Sequence, residues 1–306
     1  MEFLSFLESL RAPWLDAVMR VVTLLGSEAL FLTLALFVFW CTDKRDGYYL
    51  LMTGFAGITL NMFLKITCRI PRPWVRNPSL TVVEGAKAGA GGYSFPSGHT
   101  QNITATLGVV AVTQRRRWVR ILCPAVVLLV AFSRMYLGVH TPADVLTAMA
   151  TSALLVLVLY PVARWAGERW QRWLALLLGM LAVSVGYLLY ALLWPFPAYT
   201  DAANLAEAQK HAWTLLGAVS AMCLCCWVDG RWLHSPTKAV WWAQLLKTVI
   251  GLALVLGVKE GLKPLMAQLF GEALFPSAIR YFCCVMVAAL LWPMSFRFFA
   301  RLGRKA

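Results

Sequence analysis

Apolar residues dominate this chain in stretches of about 18 to 22 positions, separated by short polar segments. Stretches of that length suit helices that cross a hydrocarbon core of about 30 Å. They read as spans at about 18–40, 47–66, 98–113, 119–138, 142–163, 173–194, 211–228, 239–259 and 279–296. No segment alternates with the two-residue period of a strand, so the pattern predicts helices rather than a barrel. The expected architecture is an all-α, polytopic membrane helix bundle with nine spans. Ahead of the first span, "MEFLSFLESL" has apolar positions 3, 4, 6, 7 and 10 with acids at 2 and 8. That is a short amphipathic helix, expected at the membrane surface.

Composition agrees with this picture. Of the 306 residues 60% are hydrophobic and 14% charged, far from a soluble domain of this size. The net charge of +14 would suit a nucleic-acid binder, but its placement argues otherwise. Arginines and lysines collect in alternate loops: Lys44 and Arg45; Arg115, Arg116, Arg117 and Arg120; Arg164, Arg169 and Arg172; Arg231 and Lys238; and the tail Arg297, Arg301, Arg304 and Lys305. These are 15 of the 28 basic residues. By the positive-inside rule these loops are cytoplasmic, which puts the N-terminus outside, the C-terminus inside and no nucleic acid among the partners. The N-terminus lacks the pattern of a removable signal peptide. The eight cysteines show neither a disulfide framework nor zinc spacing, and "CLCC" at 223–226 reads as small apolar packing.

One outer loop departs from the charge rule. Residues 65–97 carry Lys65, Arg69, Arg72, Arg76 and Lys87 on the side that should be poor in cations. A cationic loop there points to an anionic ligand. Its middle, "EGAKAGAGG", reads as mobile.

Three stretches converge on this outer face: "KITCRIPRP" from Lys65, "PSGH" ending at His99, and "SRMYLGVHTPAD" from Ser133 to Asp144. Arg72 and Arg134 can fork onto phosphate oxygens, and Lys65 adds a point charge. Ser97 and Gly98 open a helix whose first amides have no intrahelical partners, a ready anion cradle. His99 and His140 can divide attack and proton transfer between them. Asp144, four residues after His140, can hold that imidazole in one tautomer. No carboxylate cluster is present to hold a metal, so no cofactor is expected.

Each residue also has a plainer use. Lys65 and Arg76 can anchor a span end at the interface, "TPAD" can be a helix cap, and Ser133 can bond within the bundle. His211 and His234 lie outside the three stretches and read as ordinary.

Together the stretches resemble the type 2 phosphatidic acid phosphatase superfamily. Its three signatures are matched at every position: Lys65 with six residues before Arg72-Pro73, Pro96-Ser97-Gly98-His99, and Ser133-Arg134, five residues, His140, three residues, Asp144. The resemblance covers residues 65–144. It implies a six-helix phosphatase core at 1–194, followed by a three-span extension at 195–306 that carries no motif residue. It implies that His140 is the nucleophile, Asp144 its orienting group, and His99 the acid and then the base. Lys65, Arg72, Ser97, Gly98 and Arg134 would hold phosphate, with no metal.

The implied reaction is hydrolysis of lipid phosphomonoesters or pyrophosphates through a phosphohistidine at the outer face of a bacterial inner membrane. Candidate substrates are phosphatidic acid, phosphatidylglycerol phosphate, undecaprenyl pyrophosphate and sphingoid-base phosphates. A lipid phosphotransferase would use the same residues. A transporter is the rival from another class, but no repeat of paired broken helices is evident. Oligomeric state is left open.

Overall fold

The computed structural model describes residues 2–302, so Arg304 and Lys305 of the basic tail lie outside the described residues. Thirteen α-helices follow one another: α1 (Glu2–Ser9), α2 (Pro13–Leu24), α3 (Glu28–Phe37), α4 (Lys44–Cys68), α5 (Pro73–Arg76), α6 (Gly98–Thr113), α7 (Arg117–Tyr136), α8 (Pro142–Ala166), α9 (Trp170–Leu193), α10 (Ala202–Val228), α11 (Trp241–Phe270), α12 (Pro276–Met286) and α13 (Phe296–Arg301). Among the described residues there is no strand. Seven helical segments are long and apolar enough to cross a bilayer, and the chain is an integral membrane protein.

Two expected spans take a different form. The first is broken: Pro13–Leu24 and Glu28–Thr42 meet at 43°. The break has a local cause. Ser27 accepts a hydrogen bond from the amide of Leu30 at 3.3 Å and so starts a new helix. A Cβ on Gly26 would lie 2.6 Å from the carbonyl oxygen of His99, so the bend can touch the start of α6 only with glycine there. The other is α6, whose 16 residues rise only about 24 Å. Its flanks are polar but enclosed: Thr100, Gln101, Thr104 and Thr106 are buried. Thr104 and Thr106 return their hydroxyls to the carbonyls of Thr100 and Asn102, both at 2.7 Å. Counting the bent pair as one span gives at most eight spans by length and composition, not nine.

By packing, the chain forms two compact units. One takes in the chain up to Leu32, Thr53–Pro161 and Phe196–Ala208; the other takes in Thr33–Met52, Val162–Pro195 and the chain from Gln209 onward. All three motif stretches belong to the first. There α1 buries Leu4 and Leu7 against Leu80, with Phe132 and Met135 beside them, and leaves Phe3 and Phe6 exposed. Glu8 accepts from the amide of Thr81 at 3.0 Å and from its hydroxyl, which holds the Glu8 carboxyl below its ordinary value. Arg11 donates to the carbonyl of Tyr136 at 3.2 and 3.1 Å. The amphipathic helix and the Arg11 that follows it therefore fasten the loop of residues 65–97 to the end of α7.

That loop is not loose, contrary to the reading of "EGAKAGAGG". Val83, Ala86 and Ala90 are buried with Met19, Tyr136, Leu137 and Val139. The amide of Val83 donates to Leu137 at 3.2 Å, and that of Ser94 to Ile70 at 2.8 Å. Small side chains let its backbone lie flat on the bundle, which places its carbonyls for the contacts described next.

In the second unit, Cys223, Cys225 and Cys226 are buried packing residues on α10, and the Cys225 thiol lies 3.7 Å from the Met286 sulfur.

Candidate active site

The start of α8 builds one wall of the site. Thr141 and Asp144 cap the helix reciprocally. The Thr141 amide donates to Asp144 Oδ2 at 2.7 Å, and the Asp144 amide to Thr141 Oγ1 at 3.4 Å. The plain capping role of "TPAD" is thus present. The same carboxylate oxygen accepts the Ser94 hydroxyl at 2.6 Å and lies 3.4 Å from His140 Nδ1. That last separation is long for a hydrogen bond, and Nδ1 makes no closer one. His140 precedes the helix in the turn after α7. Gly138 shapes that turn with φ of +79°, and a Cβ on it would sit 2.8 Å from the Thr81 carbonyl.

The three motif cations are buried. Lys65 and Arg72 are 6% exposed and Arg134 1%. Such burial is costly unless every N–H is met. The flat loop meets several of them in order along its backbone, while Arg134 Nε is left without a partner. The carbonyl of Gly89 accepts from Arg134 at 3.4 Å. Those of Gly91 and Gly92 accept from Arg72, the latter at 3.0 Å. That of Tyr93 accepts from Lys65. Arg134 also donates to the Thr23 hydroxyl at 2.8 Å, and Arg72 to the Val139 carbonyl at 3.1 Å.

Arg72 Nη1 lies 2.9 Å from His140 Nε2. A guanidinium only donates, so Nε2 must be the accepting nitrogen and the ring proton must sit on Nδ1, facing Asp144. Burial pushes the His140 imidazole well below its ordinary pKa. The Arg72 and Arg134 charges add to that, against the pull of Asp144. The ring is therefore neutral at neutral pH and carries its lone pair toward Arg72.

Ser97 begins α6. Its amide donates to the Asp144 carbonyl at 3.1 Å, and its oxygen accepts from the amide and hydroxyl of Thr100 at 3.4 and 3.0 Å. The Ser97 oxygen is thus used as an acceptor, and its own proton is left to donate outward. A Cβ on Gly98 would meet nothing within 4 Å, so the helix start opens onto free space. His99 is half-buried in the first turn of α6, with its Cε1 turned toward Gly89.

The structure thus gathers Lys65, Arg72, Ser97, Gly98, His99, Arg134, His140 and Asp144 in one unit. Ser133 stays apart: it is fully buried and donates back to the Val130 carbonyl at 2.7 Å. Sequence reasoning missed Ser94, Thr23 and Glu207, whose carboxylate lies against the backbone of Gly91. Ser94 sits three residues before Ser97 in a polar segment, which was the one available signal. Thr23 lies in an apolar run, and Glu207 lies 63 residues beyond Asp144 in the chain.

A membrane helix bundle with buried cations around a histidine–carboxylate pair is the class of protein this fold and site define. Comparison with known proteins agrees. The PAP2 superfamily matches residues 47–168, and the PAP2 superfamily phosphatase transmembrane extension matches residues 213–305. Phosphatidylglycerophosphatase B of Bacillus subtilis (strain 168) is 30% identical over 159 residues, covering 48% of this chain and 74% of that protein. Undecaprenyl-diphosphatase BcrC of the same organism is 33% identical over 146 residues, covering 46% and 71%. Sphingosine-1-phosphate phosphatase 1 of Rattus norvegicus is 27% identical over 270 residues, covering 81% of this chain and 61% of that one. The chain belongs to the PAP2 superfamily and is a membrane phosphatase.

Proposed function

We propose that this enzyme hydrolyses phosphomonoesters or pyrophosphates of lipids through a phosphohistidine on His140. The relatives whose names specify lipid phosphates or a lipid diphosphate support the substrate class. The observation that carries the chemistry is the contact of Arg72 Nη1 with His140 Nε2 at 2.9 Å. A phosphoryl oxygen arriving at Arg72 draws that N–H away and leaves the Nε2 lone pair facing phosphorus. The cation that binds the substrate is thus the one that uncovers the nucleophile.

In the first step the Nε2–P bond forms as the P–O bond to the lipid breaks. Burial and the nearby cations keep His99 of the free enzyme neutral, so it takes up its proton with the bound phosphate dianion beside it and gives that proton to the leaving oxygen. Asp144 stabilises the positive charge that develops on the His140 ring. In the second step neutral His99 takes a proton from water, whose oxygen attacks phosphorus as the P–N bond breaks. Free phosphate leaves and both imidazoles return to their starting states. Lys65, Arg72, Arg134, the Ser97 hydroxyl and the open start of α6 at Gly98 hold the equatorial oxygens. Cationic side chains supply the neutralisation that a metal supplies elsewhere, so the reaction needs none.

The site faces away from the cytoplasm in a bacterial inner membrane, as the distribution of arginine and lysine implies. Residues 1–194 supply every group in this scheme. Residues 195–306 supply additional spans.

The test is phosphate release by the purified protein in detergent, with chelator, from a panel of lipid phosphates and pyrophosphates. Labelled substrate should leave acid-labile, base-stable phosphate on the wild type and none on His140→Ala. Labelling that survives this substitution would remove His140 as nucleophile.

A further inference from the structure

His140 lies past Tyr136, the last residue of α7, in a turn that belongs to no helix. Three carbonyls of that turn are engaged from elsewhere. The Val139 carbonyl accepts from Arg72 at 3.1 Å, and the Leu137 carbonyl accepts from the Val83 amide at 3.2 Å. The Tyr136 carbonyl accepts from Arg11, at 3.2 Å from Nε and 3.1 Å from Nη2. The remaining nitrogen of Arg11, Nη1, donates to the carbonyl and the hydroxyl of Thr81 at 3.0 and 2.8 Å. One guanidinium thus spans the end of α7 and the loop of residues 65–97. Gly138 allows the close approach, since a Cβ there would lie 2.8 Å from Arg11 Nη2 and 2.8 Å from the Thr81 carbonyl oxygen. Tyr136 is also held at its other end. Its hydroxyl donates to Asp16 at 2.7 Å and accepts from the Ala12 amide at 3.4 Å. All these residues belong to the first unit.

Substrate treats these restraints differently. Arg72 holds the Val139 carbonyl through the same nitrogen that faces His140 Nε2. A phosphoryl oxygen that draws this N–H away loosens the turn at the moment when Nε2 must be aimed at phosphorus. The Arg11 hydrogen bonds go to Tyr136 and Thr81, neither of which holds phosphate, so they persist when phosphate binds. The demand on them is high, because a displacement of about 1 Å at a reacting atom can cost on the order of 100-fold in rate.

We propose that Arg11 is a positioning residue for phosphoryl transfer, holding the turn of residues 136–140 in place while Arg72 lets go of it to bind phosphate. This rests on the reading of His140 as nucleophile and of Arg72 as a phosphate-holding group. The role needs an arginine: a planar fork can serve two carbonyls from separate nitrogens, whereas a lysine offers one nitrogen.

The experiment compares full-length wild type, Arg11→Ala and Arg11→Lys in detergent, using the fastest substrate of the lipid phosphate panel. It reads kcat and KM per folded molecule, the rate of phosphoenzyme formation in a single turnover, and inhibition by inorganic phosphate. Arg11→Ala should slow kcat and phosphoenzyme formation by about tenfold or more, with KM and the phosphate inhibition constant within about twofold of wild type. Arg11→Lys should fall between the two. A purely structural role would lower Tm and leave the kcat of folded molecules unchanged, and that result overturns the proposal. A rise in KM and in the phosphate constant at unchanged kcat overturns it too, because Arg11 would then act on binding. Where Arg11→Ala does not fold, Arg11→Lys decides: a severalfold loss of kcat at constant KM supports the proposal, and wild-type kcat overturns it. His140→Ala, run alongside, keeps the two readings apart. Phosphoenzyme on that variant removes the nucleophile on which the proposal rests, whereas none there, with wild-type rates in both Arg11 variants, sinks the role of Arg11 alone.

Discussion

Arg72 and His140 are bound to each other at 2.9 Å, cation to imidazole, with no acid between them. Such a pair makes sense only if the imidazole stays neutral and the arginine has a better partner to go to. Both conditions describe a nucleophile held covered until an anion arrives. Arg72→Lys keeps the charge but loses the fork that spans His140 Nε2 and the carbonyls of Val139 and Gly92. We expect kcat/KM to fall by about 100-fold or more, with the folded fraction by size exclusion unchanged. A loss smaller than threefold would mean that Arg72 is structural.

The Ser94 hydroxyl donates to Asp144 at 2.6 Å, and Asp144 in turn faces the proton of His140 Nδ1. Ser94→Ala leaves the buried carboxylate one donor short. Losing one such bond costs about 1–3 kcal/mol. Part of that should surface as a drop in kcat with KM nearly constant, because no phosphate-holding group is touched. A rise in KM at constant kcat would place Ser94 in binding instead.

The reach of the sequence can be judged from these residues. His140 and Asp144 are four apart, Ser97 caps a helix that begins at Gly98, and "PSGH" is contiguous, so local spacing carries their geometry. Topology then brings Lys65 and Arg134 to the same end. The carbonyl ladder from Gly89 to Tyr93 was not legible, because backbone acceptors leave no side-chain signature and glycine-rich composition reads as looseness. The break at Gly26 was masked in the same way: hydropathy is blind to a bend inside an apolar run. Glu207 was hidden by sequence distance, since no local pattern ties α10 to Lys65.

Acid should affect stability before it affects the nucleophile. Burial holds the folded-state pKa of His140 well below its ordinary value of about 6.5. In the unfolded chain His140 takes up a proton as pH falls through that value, while the folded protein does not. The unfolded state then binds more protons, so His140 lowers stability progressively below about pH 6.5, until its depressed folded pKa is reached. Above that value it has no effect, because it is neutral in both states. Thermal unfolding in detergent between pH 7.5 and 5 should therefore show a shallower acid slope for His140→Asn than for the wild type. Over the same range His140 should impose no acid limb on kcat/KM. A His140 imidazole NMR resonance, assigned by its loss in His140→Asn, that titrates near 6.5 would mean the ring ionises normally.

Membrane orientation can be read by chemical labelling. Ala88 lies exposed in the loop that presents its carbonyls to the cations, and Gln114 lies exposed at the opposite end of α6. Cys68 is the exposed native thiol, so Cys68→Ser gives the background. In intact cells, Ala88→Cys should react with a membrane-impermeant maleimide and Gln114→Cys should not; after lysis both should react. The argument rests on charge. The segment after α6 holds Arg115, Arg116, Arg117 and Arg120 within a few residues, and moving such a cluster across the bilayer is strongly disfavoured. The loop of residues 65–97 carries its own cations, but Lys65 and Arg72 are buried against carbonyls at the site rather than spread through a free loop. They are thus accounted for by binding and not by topology. Labelling at Gln114 alone would reverse the orientation and place the phosphatase chemistry on the cytoplasmic leaflet, with the same residues acting on lipids of the other face.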